Sequence, residues 1–182
     1  MTIFRRIFFL GLTLMSINSY GQSWLESYNQ SLEYYNTDSY EDALKAGEDA
    51  LVRYKREGEL DHANYRVILR QLSVTAYSLN DIDLASTYAQ QEVESWKTAS
   101  SVDEASYIDA LDNLGVMLSA AGDFETAIIK LNEAIELIRV TTVKSDVEKA
   151  IVEGHLALAY FATGELELSK THFESTLLVF DQ

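Results

Sequence analysis

The sequence predicts an all-α solenoid of four antiparallel helix pairs. Three observations carry that expectation. A block of residues recurs every 42 positions, four times, in one phase. Within each block apolar residues recur at three- and four-residue spacing, the period of a helix face. None of the 182 residues is proline, although usage of roughly 5% would place about nine in a chain of this length. Proline stops helices, so its absence suits long uninterrupted ones.

The first segment, residues 1–21, reads as a secretory signal peptide. It runs MTIFRRIFFLGLTLMSINSYG, with Arg5 and Arg6 ahead of an apolar stretch, Ile7–Ile17. Small residues Ser19 and Gly21 precede a cut ahead of Gln22. The stretch is shorter than the ~20 residues a bilayer span needs, although an uncleaved anchor is the alternative. Gram-negative style places the mature protein in the periplasm or outside the cell. Removing Arg5 and Arg6 leaves 12 basic against 29 acidic side chains and changes the formal charge from −15 to −17.

The remainder, 22–182, divides into units at about 24–65, 66–107, 108–149 and 150–182. The segments Tyr34–Leu44, Ala76–Ser86, Leu118–Ile128 and Tyr160–Lys170 align without a slip. Each unit opens with a first helix, as in Leu111, Leu114 and Leu118, and closes with a second, as in Ala127, Leu131, Ala134 and Ile138. A tight turn separates them at Asp38, Asn80, Gly122 and Gly164. Glycine, and asparagine more than most residues, tolerates the left-handed conformation such a turn needs. Asp61, Asp103 and Ser145 lie one period apart near the starts of first helices. Ser145 with Glu148, and Ser101 with Glu104, fit capping boxes. Two columns of small residues, Ser31, Ser73, Gly115, Ala157 and Ala43, Ala85, Ala127, Ser169, let helices approach closely. Stacking the units buries a core that no unit could bury alone.

Composition excludes several function classes. Without cysteine there is no disulfide scaffold, thiolate metal site or cysteine nucleophile. The acidic balance argues against nucleic acid, whose phosphates need Lys and Arg to displace counterions. His62, His155 and His172 show no metal-ligand spacing. No nucleophile elbow, phosphate loop or dinucleotide fingerprint occurs. The expectation is no enzyme activity, no metal and no cofactor.

The units resemble the tetratricopeptide repeat (TPR) family. The third unit carries the resemblance best, in DNLGVMLSAAGDFETAIIKLNEAIEL, Asp112–Leu137. It has the family's Leu–Gly pair, its Gly–Asp–aromatic turn, its alanine and its later Ala–aliphatic pair. The 42-residue period looks like the longer-helix variant of kinesin light chains and many bacterial secreted repeat proteins. The family's closing proline is missing from all four copies, Gln30 replaces Leu72, Leu114 and Leu156, and Ser169 and Thr176 replace alanines. The resemblance implies a right-handed superhelix, with first helices lining a concave face that holds a peptide.

On that face the resemblance places a polar column, Asn29, Gln71, Asn113 and His155. Each can donate and accept hydrogen bonds, so the row could hold an extended backbone. Solvated residues, or amides bridging adjacent helices, are the alternative. Beside it lie Tyr28, Arg70, Asp112 and Gly154, and another column holds Tyr35, Tyr77, Ser119 and Phe161. The aromatic rings suit either ligand anchoring or helix packing. Asp109 and Asp112, one turn apart, could receive a basic side chain or form a solvated acidic face. Arg70 is the only cation in these columns, so the carboxylate clamp of chaperone-binding relatives is not expected. Trp24 is expected to cover the first end of the stack, and Trp96 to pack under the turn into the third unit.

The second end is different. Repeat arrays usually finish in a polar cap, but here Leu177, Leu178, Val179 and Phe180 precede Gln182. The apolar end could pair with another copy, dock on a partner, continue into a longer protein such as a caspase-like protease, or fold back on its own stack. The function expected is therefore a periplasmic or secreted module binding a protein or peptide in its groove. The alternatives are an oligomerisation element using Leu177, Leu178 and Phe180, and the regulatory array of a protease-type protein. No membrane span is expected after signal cleavage.

Overall fold

The computed structural model describes residues 23–57, 62–99 and 101–180. The signal-peptide reading and Asp61 lie outside them. Eight α-helices follow one another among the described residues: α1 (Ser23–Asn36), α2 (Tyr40–Glu57), α3 (His62–Ser78), α4 (Ile82–Ser95), α5 (Glu104–Ala121), α6 (Phe124–Thr141), α7 (Asp146–Thr163) and α8 (Leu166–Phe180). A 3₁₀ turn, Trp96–Thr98, extends α4. Each helix packs on its chain neighbours, so the pairs stack in order. The fold is the expected all-α solenoid.

The turns form where the period places them. Asp38 and Asn80 adopt φ of 59° and 62°, and Gly122 and Gly164 adopt 83° and 84°. In the latter two the absent Cβ removes the steric cost of left-handed backbone. The second helices α4 and α6 then start on side-chain caps, with Asp81 accepting from the Leu84 amide and Asp123 from that of Thr126. The Ser145–Glu148 capping box forms at α7. The Ser101–Glu104 box does not. Helix α5 begins at Glu104 with Asp103 at its cap, which puts Ser101 outside the first turn. Asp103 instead accepts a hydrogen bond of 2.7 Å from Ser106 Oγ. One left-handed residue escapes the sequence pattern, Thr142 at φ 56° after α6, a costly conformation for a β-branched side chain.

The small columns close each pair. Ser31 Oγ donates to the Ala43 carbonyl at 2.7 Å, and Ser73 Oγ repeats the bond to Ala85 at 3.0 Å. All four of these residues are buried. In the fourth unit Ser169 is buried, and Thr176 Oγ1 bonds the Ala150 carbonyl. Between units the core is a run of fully buried aliphatics, Ile68, Leu69, Leu72, Ile108, Leu111, Leu114, Leu131 and Leu156. Trp24 does not cover the end of the stack. It is buried against Tyr54, edge to face, in a cluster with Ile68 and Leu72 of α3. Trp96 is buried beside Tyr107 of α5, as expected, with the Arg66 guanidinium over its ring.

Candidate inner-face site

Successive first helices touch directly, α1 with α3, α3 with α5 and α5 with α7. That close spacing puts them on the inside of the curve. Polar side chains stitch them together at intervals near one period. Ser78 of α3 donates to the Tyr35 hydroxyl of α1, and Asn113 Nδ2 of α5 donates to Ser73 Oγ of α3 at 3.3 Å. His155 Nδ1 of α7 lies 2.7 Å from Asp112 Oδ1 of α5.

The predicted polar column therefore forms no continuous row of exposed amides. Asn29 is exposed, but Gln71 is only 3% exposed and spends its amide on Thr75 of its own helix. Asn113 and His155 bridge adjacent first helices. Curvature explains the difference, because it brings neighbouring first helices within side-chain reach.

Arg70 is the hub of the face. Its Nε donates to Glu92 Oε1 at 2.8 Å, its Nη2 to the Ser106 carbonyl at 2.9 Å, and its Nη1 lies 3.8 Å from Asp109. Burial works against the guanidinium charge, but Glu92 and Asp109 outweigh it and hold the Arg70 pKa above its usual value. Glu92 is wholly buried on α4, and its Oε2 has no hydrogen-bond partner among the described residues. Burial pushes its carboxyl up, and Arg70 opposes that without cancelling it. Tyr28 sits close enough to feel the Arg70 charge, but burial dominates and raises the phenol to about 12. Lys144 Nζ completes the chain, 2.5 Å from Asp109 and 3.3 Å from Glu148.

Asp109 and Asp112 are thus already paired, to Arg70 and Lys144 and to His155. A ligand cation would have to displace those partners. For His155, burial alone would lower the pKa, and the Asp112 hydrogen bond and charge more than restore it. A second pair, His172 Nδ1 with the buried Glu153, links α8 to α7, with the His172 ring stacked on Tyr160.

Apolar surface remains open on the same helices. Tyr77 is 43% exposed and Phe161 62% exposed. Leu25 and Val67 precede Tyr28 and Arg70 by one turn and are also exposed, as is Leu158 beside Phe161. The sequence reading missed Leu25 and Val67, although they stand two periods and one period above Asp109 and signal an inner column. Tyr35 is half-buried against Tyr40. Among the described residues, no group of three or more His, Asp or Glu could hold a metal ion, and no helix is long and apolar enough to cross a membrane.

These helices, turns and seams decide the fold class. The fold is TPR-like. BtubC (BKLC) from P. vanneervenii superposes with a TM-score of 0.80 at 15% identity, over 91% of this chain and 67% of that one. A Podosopora anserina protein with nearly identical TPR-like repeats of kinesin light chain type gives 0.74 at 15% identity, over 90% and 78%. A Rap protein complexed with Competence and Sporulation Factor gives 0.69 at 14% identity, over 87% of this chain and 43% of that one. At such identities the likeness is one of fold. No family model and no curated protein matches the chain.

Proposed function

We propose that this TPR-like solenoid is an interaction module that holds a peptide segment of a protein partner on its inner face. One observation carries the reading. Apolar side chains from three first helices, Leu25, Val67, Tyr77, Leu158 and Phe161, stand open on the face where polar seams lock the backbone in place. Rigid aromatic anchors of this kind supply most of the energy in peptide recognition. The seams keep the anchors pre-organised, which lowers the entropy cost of binding. The similar Rap structure was solved with a bound factor, which supports a ligand on this fold.

The segment is apolar with basic flanks, because the chain's net −15 steers cations towards it. Anchoring rests on Tyr77 and Phe161. Asn29, the exposed member of the polar column, is left to pair with the peptide backbone. The module is a periplasmic or secreted one, since residues 1–21 have the layout of a cleavable leader. No catalytic step is assigned to it.

A displayed random-peptide library tests the proposal. Selection on the wild-type chain should enrich one family of apolar–basic peptides. Tyr77→Lys with Phe161→Lys should lose those peptides while keeping its helicity. Equal enrichment on the variant would sink the proposal.

A further inference from the structure

The turns that join first to second helices lie along one edge of the stack, and the charges on that edge have one sign. Residues 32–43, 74–85, 116–127 and 158–169, the same stretch of each unit, hold ten acidic side chains and no Lys, Arg or His. The opposite edge, where second helices end, mixes signs, with Lys55, Arg56, Lys97 and Arg139 among its acids. Acids at helix starts are ordinary, and Asp81 and Asp123 cap α4 and α6. Capping does not account for what stands beside them on the inner face.

There Tyr77, Ser119 and Phe161 lie one period apart on α3, α5 and α7. Both rings are exposed. Between them α5 ends in four small residues, 119–122, and small side chains between two rings leave a notch. A Cβ built on Gly122 would meet nothing within 4 Å. Tyr77 has a unit on either side and is still 43% exposed, so its column faces the groove and not a missing neighbour. In the first unit the same column is half-closed, because Tyr35 packs on Tyr40. Beneath the notch, Ser119 Oγ is buried without a hydrogen-bond partner among the described residues. At its lip stands Asp123, exposed, four residues after Ser119, as Asp81 and Glu165 follow Tyr77 and Phe161. Asp123 Oδ1 takes the Thr126 amide, and a carboxylate has room for further donors.

We propose that this notch takes an arginine side chain of the partner segment, with the guanidinium against the Tyr77 and Phe161 rings and its N–H groups on Asp123. The inference rests on the inner-face reading above and says which residue of the segment enters where. An apolar side chain would suit the rings but would leave the Ser119 hydroxyl and the acidic rim without a donor. A guanidinium stacks on ring faces and bonds a carboxylate through two parallel N–H groups. Lysine is a strongly hydrated point charge without a planar face. The protein already uses this chemistry twice inside its own fold. The Arg66 guanidinium lies 3.7 Å from the centre of the Trp96 ring, and Arg70 holds Glu92 through Nε and Nη2. The turn-edge stretches contain no cation of their own to compete for the notch.

The probe is N-acetyl-arginine amide, titrated into the full-length chain, purified as the expressing cell processes it, and followed by NMR at low ionic strength. Saturable shifts should gather on Tyr77, Ser119 and Phe161 and shrink as salt is added. The citrulline analogue, similar in shape but uncharged, should bind about tenfold less tightly. Asp123→Asn keeps a good helix cap and should weaken arginine binding by a similar factor, whereas Asp103→Asn on the opposite edge should change nothing. Tyr77→Leu with Phe161→Leu should abolish the shift at Ser119. Shifts that gather elsewhere, equal affinity for citrulline, indifference to Asp123→Asn, or no saturable binding each overturn the proposal. Library peptides selected without a shared arginine overturn it too, but leave the inner-face reading standing. Arginine binding at the notch with no peptide selected supports the notch and removes the peptide reading.

Discussion

The two ends of the stack solve one problem in opposite ways. At α1 the columns that face a neighbour elsewhere carry Glu26, Gln30 and Glu33, and water covers them at no cost. At α8 the same logic is reversed, and Phe173, Leu177 and Phe180 keep the apolar character of inner units. The middle and the α8 end also differ in how their carboxylates are held. Near the middle, Glu92 is held by Arg70, a permanent cation. Towards α8, Asp112 and Glu153 are held by His155 and His172, which are cations only when protonated. Arg70 therefore keeps its charge throughout, whereas His155 must hold a proton for the α5–α7 pair to be ionic.

The largest expected effects test the middle against the open end. Leu114→Ala should cost about 2–5 kcal/mol in chemical denaturation, the usual range for a fully buried leucine. Phe180→Ala should cost less than about 1 kcal/mol, as exposed positions do. Equal losses at the two sites would break the comparison.

Next comes the buried pair. Arg70→Met strands the Glu92 carboxylate and should cost about 3 kcal/mol, the lower end for a broken buried pair, since Arg70 keeps some solvent contact. The sign with pH follows from burial. A carboxyl whose folded pKa is raised binds its proton more tightly when folded. Its variant should therefore gain stability as pH falls and lose it as pH rises through the folded value. Adding Glu92→Leu should restore most of the loss and flatten that pH dependence.

The smallest effect lies at His155. Its imidazole should titrate above 6.5 by NMR, and Asp112→Asn should move it down. A raised histidine pKa stabilises the fold fully below the unfolded value, and the contribution is lost as pH rises through the folded value. A titration unchanged by Asp112→Asn would remove the α5–α7 seam from the account.

Much of this was legible in the residues. The period located the left-handed residue of the turn inside each unit, because such a turn is local and glycine, Asn and Asp mark it, but it did not mark Thr142 between two units. The small columns were legible for the same reason, and Leu177 and Phe180 already marked the open end. The inner face was less so. Gln71 reads as a groove residue from its column, but its amide lies inside the protein. Arg70 reads as a lone groove cation, but it is bonded to Glu92, 22 residues away. A signal for that pair existed, an acid in a column otherwise filled by Ala50, Ala134 and Thr176. Glu153 likewise stands in the column of Leu69 and Leu111. Such departures from the repeat mark where a partner must be found, but not which residue supplies it.

By itself, then, the sequence determined the helices, their turns, their pairing and their order in the stack. Each depends on residues within one unit, and the 42-residue period repeats that information four times. Only the tertiary structure decided which polar groups face the groove and which lock neighbouring first helices together. That choice depends on how closely successive units approach on the inside of the curve. The distance is a property of the whole stack, set by side chains about one period apart, and no single unit encodes it.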